Sequence, residues 1–294
     1  MPPSLPAAAT RAAAAVAAGF GVVRGDPVVL ADGANIVVHL SPAPLVAKVA
    51  ASTPAVRADN AAWLRRELDL AVYLAGAGIP VMTPSPEVPV AVHQGDGYAM
   101  TFWTYLERSG TEPPDEMTIG SMLHDLHTAL RGYRSPLPVL APLGDIPAFL
   151  ARPETKLSHN DAAMLAGAFG ELTSQLVPDG QAPHVQAPHV QALHGDAGAL
   201  NLMPTGGGWV WHDFEDTCSG PVVWDLAATT ASPWLNRDRI LAAYGEPVDE
   251  KQLVICQRLR RLHLTIWYSL YAERLPDCRQ RAGELLAEWR AQLG

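Results

Sequence analysis

Two short stretches constrain this 294-residue chain more than any others. One is His194-Gly195-Asp196-Ala197-Gly198-Ala199-Leu200-Asn201, and the other, close behind it, is Asp213-Phe214-Glu215-Asp216. Leu200 to Met203 is a short apolar run, Pro204-Thr205-Gly206-Gly207-Gly208 is a cluster of turn formers, and Trp209-Val210-Trp211 is aromatic and β-branched, as a returning strand should be. This pattern predicts a tight β-hairpin. A hairpin brings its outer ends together, so Asn201 and Asp213 are expected to be neighbours, with Asp196 one loop away. The residue types then point to a chemistry. Mg2+ prefers hard oxygen ligands and usually takes one or two carboxylates, with phosphate oxygens and water completing its shell. Asp213 offers a charged oxygen and Asn201 a neutral one. Asp196, kept off the metal, is expected to accept a proton from an attacking hydroxyl, work that contributes about 10²–10⁴-fold in rate. The bland alternative is three polar loop residues in chance register. The offset of Asn201, the hairpin and the second Asp together favour phosphoryl transfer.

The spacing H-x-D-x-x-x-x-N equals that of the protein-kinase catalytic loop. With His194 to Asn201, with Trp211-His212-Asp213-Phe214-Glu215-Asp216-Thr217 and with Gly220-Pro221-Val222-Val223-Trp224-Asp225-Leu226-Ala227, the chain resembles the aminoglycoside phosphotransferase and choline kinase family. These are small-molecule kinases with a protein-kinase-like fold, and their pattern is HGDxxxxN, (I/V)DFxD, GDPxxDLA. The chain departs from it with Gly-Pro for Gly-Asp-Pro, with Ala197 where Leu is usual and with Ala199 where many members carry Pro. Glu215 stands where protein kinases have the Gly of Asp-Phe-Gly. None of these changes touches a residue expected on the metal. The resemblance covers the chain from about residue 20 and implies ATP and Mg2+ as cofactors. It also implies that His194 braces the loop around Asp196 and that Asp225 is a buried brace for the same loop. The other reading of Asp225 is a plain helix N-cap.

The N-terminal third agrees with that order of motifs. Val28-Val29-Leu30, Ile36 to Leu40 and Leu45 to Val49 read as three antiparallel strands joined at Asp32-Gly33-Ala34-Asn35 and Ser41-Pro42-Ala43-Pro44. In such a lobe Lys48 reaches the α- and β-phosphates, and the turn carrying Gly33 and Asn35 covers them. A surface lysine on an edge strand is the alternative, against which its apolar flanks argue. Asn60 to Ala75 reads as a helix that puts Glu67 on or near its apolar face, a costly position unless the carboxylate is paired. The resemblance to kinases, with their Lys–Glu pair, implies Lys48 as the partner, and Arg65 and Arg66 are the local alternatives. Val81–Val92 and Tyr98–Thr104 read as two further strands; Met100 and Phe102 lie on the second, which leads to the hinge whose backbone is expected to hold adenine. Ala7 to Ala18 is read as a surface or amphipathic helix ended by Gly19 rather than as a leader segment.

Beyond Pro113-Pro114 the chain turns helical, with Ile119–Leu130, Ile146–Leu150, Ala162–Leu176 and a long block over residues 235–291. Trp267, Tyr268 and Tyr271 in that block are candidates for an acceptor pocket or for core packing. A tandem Gln-Ala-Pro-His-Val at 181–185 and 186–190 reads as a duplicated linker, with His184 and His189 as exposed loop residues. The expected fold is α+β and bilobal, protein-kinase-like: an antiparallel sheet with a helix over residues 1–104, and a mainly helical lobe with catalytic loop and acceptor site over residues 105–294.

Charge and composition narrow the partners. With 48% hydrophobic and 17% charged residues the chain can bury a sizeable core. No apolar run is long enough to span a bilayer, so no membrane partner is expected. A net charge of −9 argues against nucleic acid. Residues 1–104 carry 7 acids and 6 bases, whereas residues 105–294 carry 23 acids and 15 bases. The acidic excess in the acceptor-binding part favours a hydroxylated small molecule that is cationic, such as an aminoglycoside or aminosugar; a solvated acidic face explains it equally well. Three widely spaced cysteines show neither zinc spacing nor a disulfide framework and fit the cytoplasm. Two other function classes stay in view. A metal phosphohydrolase is suggested by His124-Asp125 with His127, and a nucleotide sensor would bind ATP without transferring phosphate.

Overall fold

The computed structural model describes residues 4–22, 25–176 and 190–293. Along the chain come α1 (Leu5–Gly19), β1 (Val28–Asp32), β2 (Asn35–His39), β3 (Leu45–Ala50), α2 (Asn60–Gly76), β4 (His93–Gly95), β5 (Tyr98–Thr104) and α3 (Glu116–Leu130). Then follow α4 (Asp145–Leu150), α5 (His159–Leu176), β6 (Val190–Leu193), β7 (Leu202–Thr205), β8 (Gly208–Trp211), β9 (Cys218–Pro221), α6 (Val223–Thr229), α7 (Arg237–Tyr244), α8 (Glu250–Ala272) and α9 (Cys278–Leu293). The chain divides into two compact units. The first holds the chain up to Asp115 with Thr128–Tyr133 and Ala199–Thr217, and the second holds Glu116–His127, Arg134–Gly198 and the chain from Cys218 onward.

In the first unit five strands form one antiparallel sheet in the order β1-β2-β3-β5-β4. Side chains alternate across it. Ile36, Val38, Leu45, Ala47, Val49, Met100 and Phe102 pack against α1, which meets them with Ala9, Ala12, Ala13 and Ala17. These alanines recur at helical spacing, and their small size lets the helix lie close to the sheet. Ser4 caps α1 by accepting from the Ala7 N–H at 3.4 Å. The side chains of β3 and β5 that alternate with this set, Lys48 and Thr101 among them, belong to the other face; the two are register partners. Asp59 caps α2 through the Ala62 N–H at 3.0 Å, and Leu64, Glu67, Leu68, Leu70, Ala71 and Leu74 are buried along it.

The strand expected over Val81–Val92 does not form. Only Val81 and Pro84 make isolated bridges, to Trp211 and Trp103. Pro80, Pro84, Pro86 and Pro89 remove the N–H donors that a ladder needs. The edge strand is instead β4, with a turn at Asp96-Gly97, both at positive φ. The hairpin predicted after Asn201 does form, as β7 and β8 with Leu202 opposite Trp211.

The second unit is mostly helical. α8 is its central element, with Leu253, Cys256, Leu259, Leu262, Ile266 and Leu270 buried. α7 crosses α3 where Gly120 leaves room: a Cβ there would lie 2.4 Å from the Ile240 carbonyl oxygen. The block expected to be helical over residues 235–291 is three helices. Gly245, at φ 78, ends α7 as its C-cap, and Pro276 stands in the break before α9. Trp267 is buried and donates to Asp145 Oδ2 at 3.2 Å, so its indole serves packing between α8 and α4. The tandem repeat with His184 lies outside the described residues apart from its last valine, Val190, and His189 lies outside them too. Among the described residues no helix is long and apolar enough to cross a membrane.

Candidate active site

The first unit gathers a cluster of charges around Lys48. Its Nζ donates to Glu67 Oε1 and Oε2 at 2.9 and 3.0 Å and to Asp213 Oδ1 at 2.5 Å, and it lies 3.0 Å from Glu215 Oε2. Three separate segments supply these groups: a central strand the lysine, the helix that follows it Glu67, and the turn after β8 the other two acids. Glu215 is held from its far side by Arg57, whose Nη1 donates to Oε1 at 2.8 Å while Nη2 reaches Asp216 Oδ1 at 2.7 Å. The Arg57 guanidinium lies 3.7 Å from the centroid of the Trp63 ring. The Asn35 side chain donates to Glu215 Oε2. The hairpin sets the register of the metal candidates: the His212 N–H donates to the Asn201 carbonyl at 3.0 Å, and Asp213 follows. Asp213 sits at φ 63, ψ 56, in the left-handed region. That conformation costs a non-glycine residue about 1–2 kcal/mol, a cost that persists only where its surroundings demand it.

Burial alone would pull the Lys48 ammonium down. Asp213, then Glu67 and Glu215, outweigh that effect and hold it well above its ordinary 10.5. Glu67 is pushed up to about 8, first by burial, against the pull of Lys48, with Asp213 and Glu215 adding repulsion. Four carboxylates (Glu67, Asp213, Glu215, Asp216) face two cations (Lys48, Arg57) in this cluster. An added divalent cation would balance the excess. The Asn35 side-chain carbonyl is buried with no hydrogen-bond partner among the described residues. An oxygen pair of one carboxylate and one amide is the hard, low-count donor set that suits Mg2+, so Asn201 and Asp213 fit that ion. Among the described residues no set of three or more His, Cys, Asp or Glu is grouped to hold a metal.

The second unit holds the loop of Asp196. Asp225, fully buried on α6, accepts the His194 N–H through Oδ2 and the Gly195 N–H through Oδ1, both at 2.9 Å. His127 Nε2 lies 3.1 Å from the same Oδ2, and His127 Nδ1 lies 3.0 Å from the Tyr244 hydroxyl. Asp225 is thus a brace for the loop rather than a helix N-cap. Trp224 Nε1 donates to the Gly195 carbonyl at 2.9 Å, and the Thr229 hydroxyl donates to the Ala197 carbonyl at 2.6 Å. Gly195 sits at φ 88, a conformation glycine adopts at no steric cost. The His194 ring accepts the Asp196 N–H through Nδ1 at 3.3 Å, an interaction inside the loop itself.

The expected site residues are therefore distributed unequally. Lys48, Glu67, Asn35 and Asp213 come together, with Asn201 one hairpin rung from Asp213. Gly33 lies in the turn before Asn35, where its carbonyl accepts from the Ser52 hydroxyl at 3.1 Å and a Cβ would meet nothing within 4 Å. His194 and Asp196 belong to the second unit. Met100 and Phe102 point into the core beneath α1, on the face of the sheet away from Lys48. Their backbone is engaged as well: Met100 pairs with His93 and Val49, and the Phe102 carbonyl accepts from Ser85. His124 and Asp125 do not build a hydrolase centre with His127, because both nitrogens of His127 are committed to Asp225 and Tyr244 while His124 faces Asp125 and Glu246. Sequence reasoning missed Arg57, whose partners lie more than a hundred positions away, and gave Glu215 no role.

A scan against family models matches residues 31–251 to the phosphotransferase enzyme family. The chain belongs to this family. The matched span contains every motif residue described above, Lys48 to Asp225. No curated protein matches this phosphotransferase significantly. Solved structures show what its fold resembles. An amicoumacin kinase in complex with AMP-PNP, Ca2+ and Ami is 14% identical, covers 95% of this chain and 93% of that one, and superposes with a TM-score of 0.67. An aminoglycoside-3'-phosphotransferase of type VIII is 18% identical, covers 88% and 100%, and gives 0.61. The choline kinase LicA from Streptococcus pneumoniae is 13% identical, covers 95% and 99%, and gives 0.59. These likenesses show the protein-kinase-like α+β fold.

Proposed function

We propose that this phosphotransferase moves the γ-phosphate of ATP to a hydroxyl of a small molecule. The observation that carries the reading is the charge cluster of the first unit. Lys48 meets three acids, Glu67, Asp213 and Glu215, in a group with more negative than positive charge. Lys48 binds the α- and β-phosphates, and Glu67 fixes the direction of its ammonium. The turn of Gly33 and Asn35 covers the phosphates. Asn201 and Asp213 would hold Mg2+, which supplies neutralisation of phosphate charge when bound. Asp196 takes the proton from the acceptor hydroxyl. As that proton leaves, the acceptor oxygen bonds to the γ-phosphorus, the bond from it to the β,γ-bridging oxygen breaks, and the electron pair stays with the departing ADP.

Cationic aminoglycosides and aminosugars head the acceptor panel because of the acidic excess over residues 105–294, with amino alcohols and neutral sugars beside them. No disulfide joins Cys218, Cys256 and Cys278, in keeping with work in the cytoplasm. The deciding experiment is Asp196→Ala, assayed for phosphate transfer from MgATP across that panel and for binding of a fluorescent ATP analogue. Transfer is expected to fall by about 10²-fold or more while the analogue still binds. Comparable turnover in the variant rejects the assignment.

A further inference from the structure

Arg260 stands in the middle of α8, and no motif in the sequence points to it. Its guanidinium donates through Nη1 to the Gly195 carbonyl at 2.7 Å and through Nη2 to Asp196 Oδ1. It lies over the Trp224 indole, 5.2 Å from the ring centroid, and that indole donates to the same Gly195 carbonyl. The Arg260 side chain is 14% exposed and that of Asp196 is 42% exposed. We infer that Arg260 is the positioning residue that aims the Asp196 carboxylate at the acceptor hydroxyl. The inference rests on the phosphotransfer reading above.

The other anchors of the loop act on its backbone. Asp225 takes two N–H groups, while Trp224 and Thr229 each donate to a carbonyl. They fix where the Cα of Asp196 stands, but they do not choose among the staggered rotamers of its side chain. Arg260 does. A guanidinium presents its donors in one rigid plane. With Nη1 on the Gly195 carbonyl and the plane settled against Trp224, the position of Nη2 dictates where Oδ1 must sit. Exposed ion pairs commonly contribute little because both side chains stay mobile. Here the arginine is mostly buried, grows from the middle of a 23-residue helix, and has both partners on one short loop. Arg260 keeps its own charge and protons throughout the transfer.

Positioning makes a testable demand on the kinetics. A misplacement of about 1 Å at a reacting group costs on the order of 10²-fold. Arg260→Ala is expected to lower kcat by about 10- to 100-fold and to change KM for MgATP by less than about threefold. Arg260→Lys keeps a positive charge but not the planar fork, so it is expected to lose nearly as much. Guanidinium at millimolar concentration is expected to restore part of the Ala variant's kcat, and methylammonium is not. The assay uses the full chain and MgATP, with the acceptor panel above and with water as the default acceptor. A kcat for Arg260→Ala within about twofold of wild type, or a Lys variant as fast as wild type, overturns the positioning role while leaving the kinase reading intact. Wild-type protein that turns over no MgATP with any acceptor overturns both.

Discussion

Replacing Asp225 by Asn tests how much of the second unit's stability and of its loop geometry passes through one carboxylate. The side chain is fully buried and accepts three donors, the His194 and Gly195 N–H groups and His127 Nε2, at 2.9, 2.9 and 3.1 Å. Asn keeps the shape, so no cavity confuses the result. It loses the charge, and its NH2 must face at least one group that is itself a donor. A hydrogen bond to a charged group contributes about 1.5–3 kcal/mol net, and a buried donor left without an acceptor costs about 1–3 kcal/mol. One lost charged bond, one orphaned donor and a weakened third bond come to roughly 3–5 kcal/mol, the range found when one partner of a buried ion pair is removed. At about 2–4 °C per kcal/mol for a unit of this size, Tm is expected to fall by roughly 6–20 °C. Circular dichroism melts and urea titrations measure this directly. A Tm within about 3 °C of wild type would refute the brace, because the lost bonds would then be carrying almost nothing.

The same carboxyl gives a pH signature. Burial alone would raise it, but the hydrogen bond and charge of His127, then the charge of His194 and the Gly195 N–H, hold it below its ordinary 3.8. A folded pKa below the unfolded one means that this stability is complete above 3.8 and is lost as pH falls through the folded value. Asn does not titrate. The gap in unfolding free energy between wild type and Asp225→Asn should therefore narrow below about pH 4.

Glu67→Gln is expected to weaken MgATP binding by about tenfold, since Lys48 loses one of the acids that orient it; a fluorescent-nucleotide titration checks this. Because burial pushes the Glu67 carboxyl up, its share of stability is present below its ordinary 4.5 and is lost as pH rises through the raised value. Urea midpoints of Glu67→Gln should accordingly decline less than those of wild type across that window. Gly120→Ala is expected to destabilise by about 1–3 kcal/mol despite alanine's better helix propensity, because the new Cβ meets the Ile240 carbonyl at 2.4 Å and the Tyr244 nitrogen at 2.9 Å. A Tm equal to or above wild type would show that α3 and α7 part freely. Asp213→Gly is expected to abolish transfer with little loss of Tm, since glycine accepts φ 63 without strain and one carboxylate leaves an over-acidic cluster; a large fall in Tm would contradict that balance.

The parts of the fold legible in the sequence were those that local chemistry determines. The hairpin after Asn201 is marked by a glycine-rich turn between an apolar and an aromatic run, and it forms where expected. A carboxylate among Leu64, Leu68 and Ala71 needs a partner, the resemblance to kinases names Lys48 as that partner, and the two side chains meet at 2.9 Å. The parts that were not legible depend on register and on distant segments. Met100 and Phe102 share a face because strand side chains alternate, but which face belongs to Lys48 is fixed only by the pairing of Lys48 with Thr101. The four prolines between 80 and 89 were a visible reason to doubt a long strand there. Arg57 and Arg260 carry no local signal at all. An arginine in a loop or on a helix looks like solvated surface until the fold brings a carboxylate to it, and theirs come from 158 and 64 positions away.

Both units separate the groups that hold from the groups proposed to react. Asp225 and Glu67 are 0% and 1% exposed, whereas the side chains of Asp196 and Asp213 are 42% and 47% exposed. This division follows from what each task requires. A proton acceptor or a metal ligand has to meet its partner, so it keeps an accessible oxygen and contributes little to packing. Aiming it requires a group whose own conformation is fixed, and burial with full hydrogen bonding is the means a fold has of fixing one. A buried carboxylate is costly unless its oxygens are satisfied, and the donors that satisfy it are the loop N–H groups in one unit and the Lys48 ammonium in the other. The holding groups therefore link folding to function. Substitutions at Asp225 or Glu67 should move stability and activity together, while those at Asp196 or Asp213 should move activity alone.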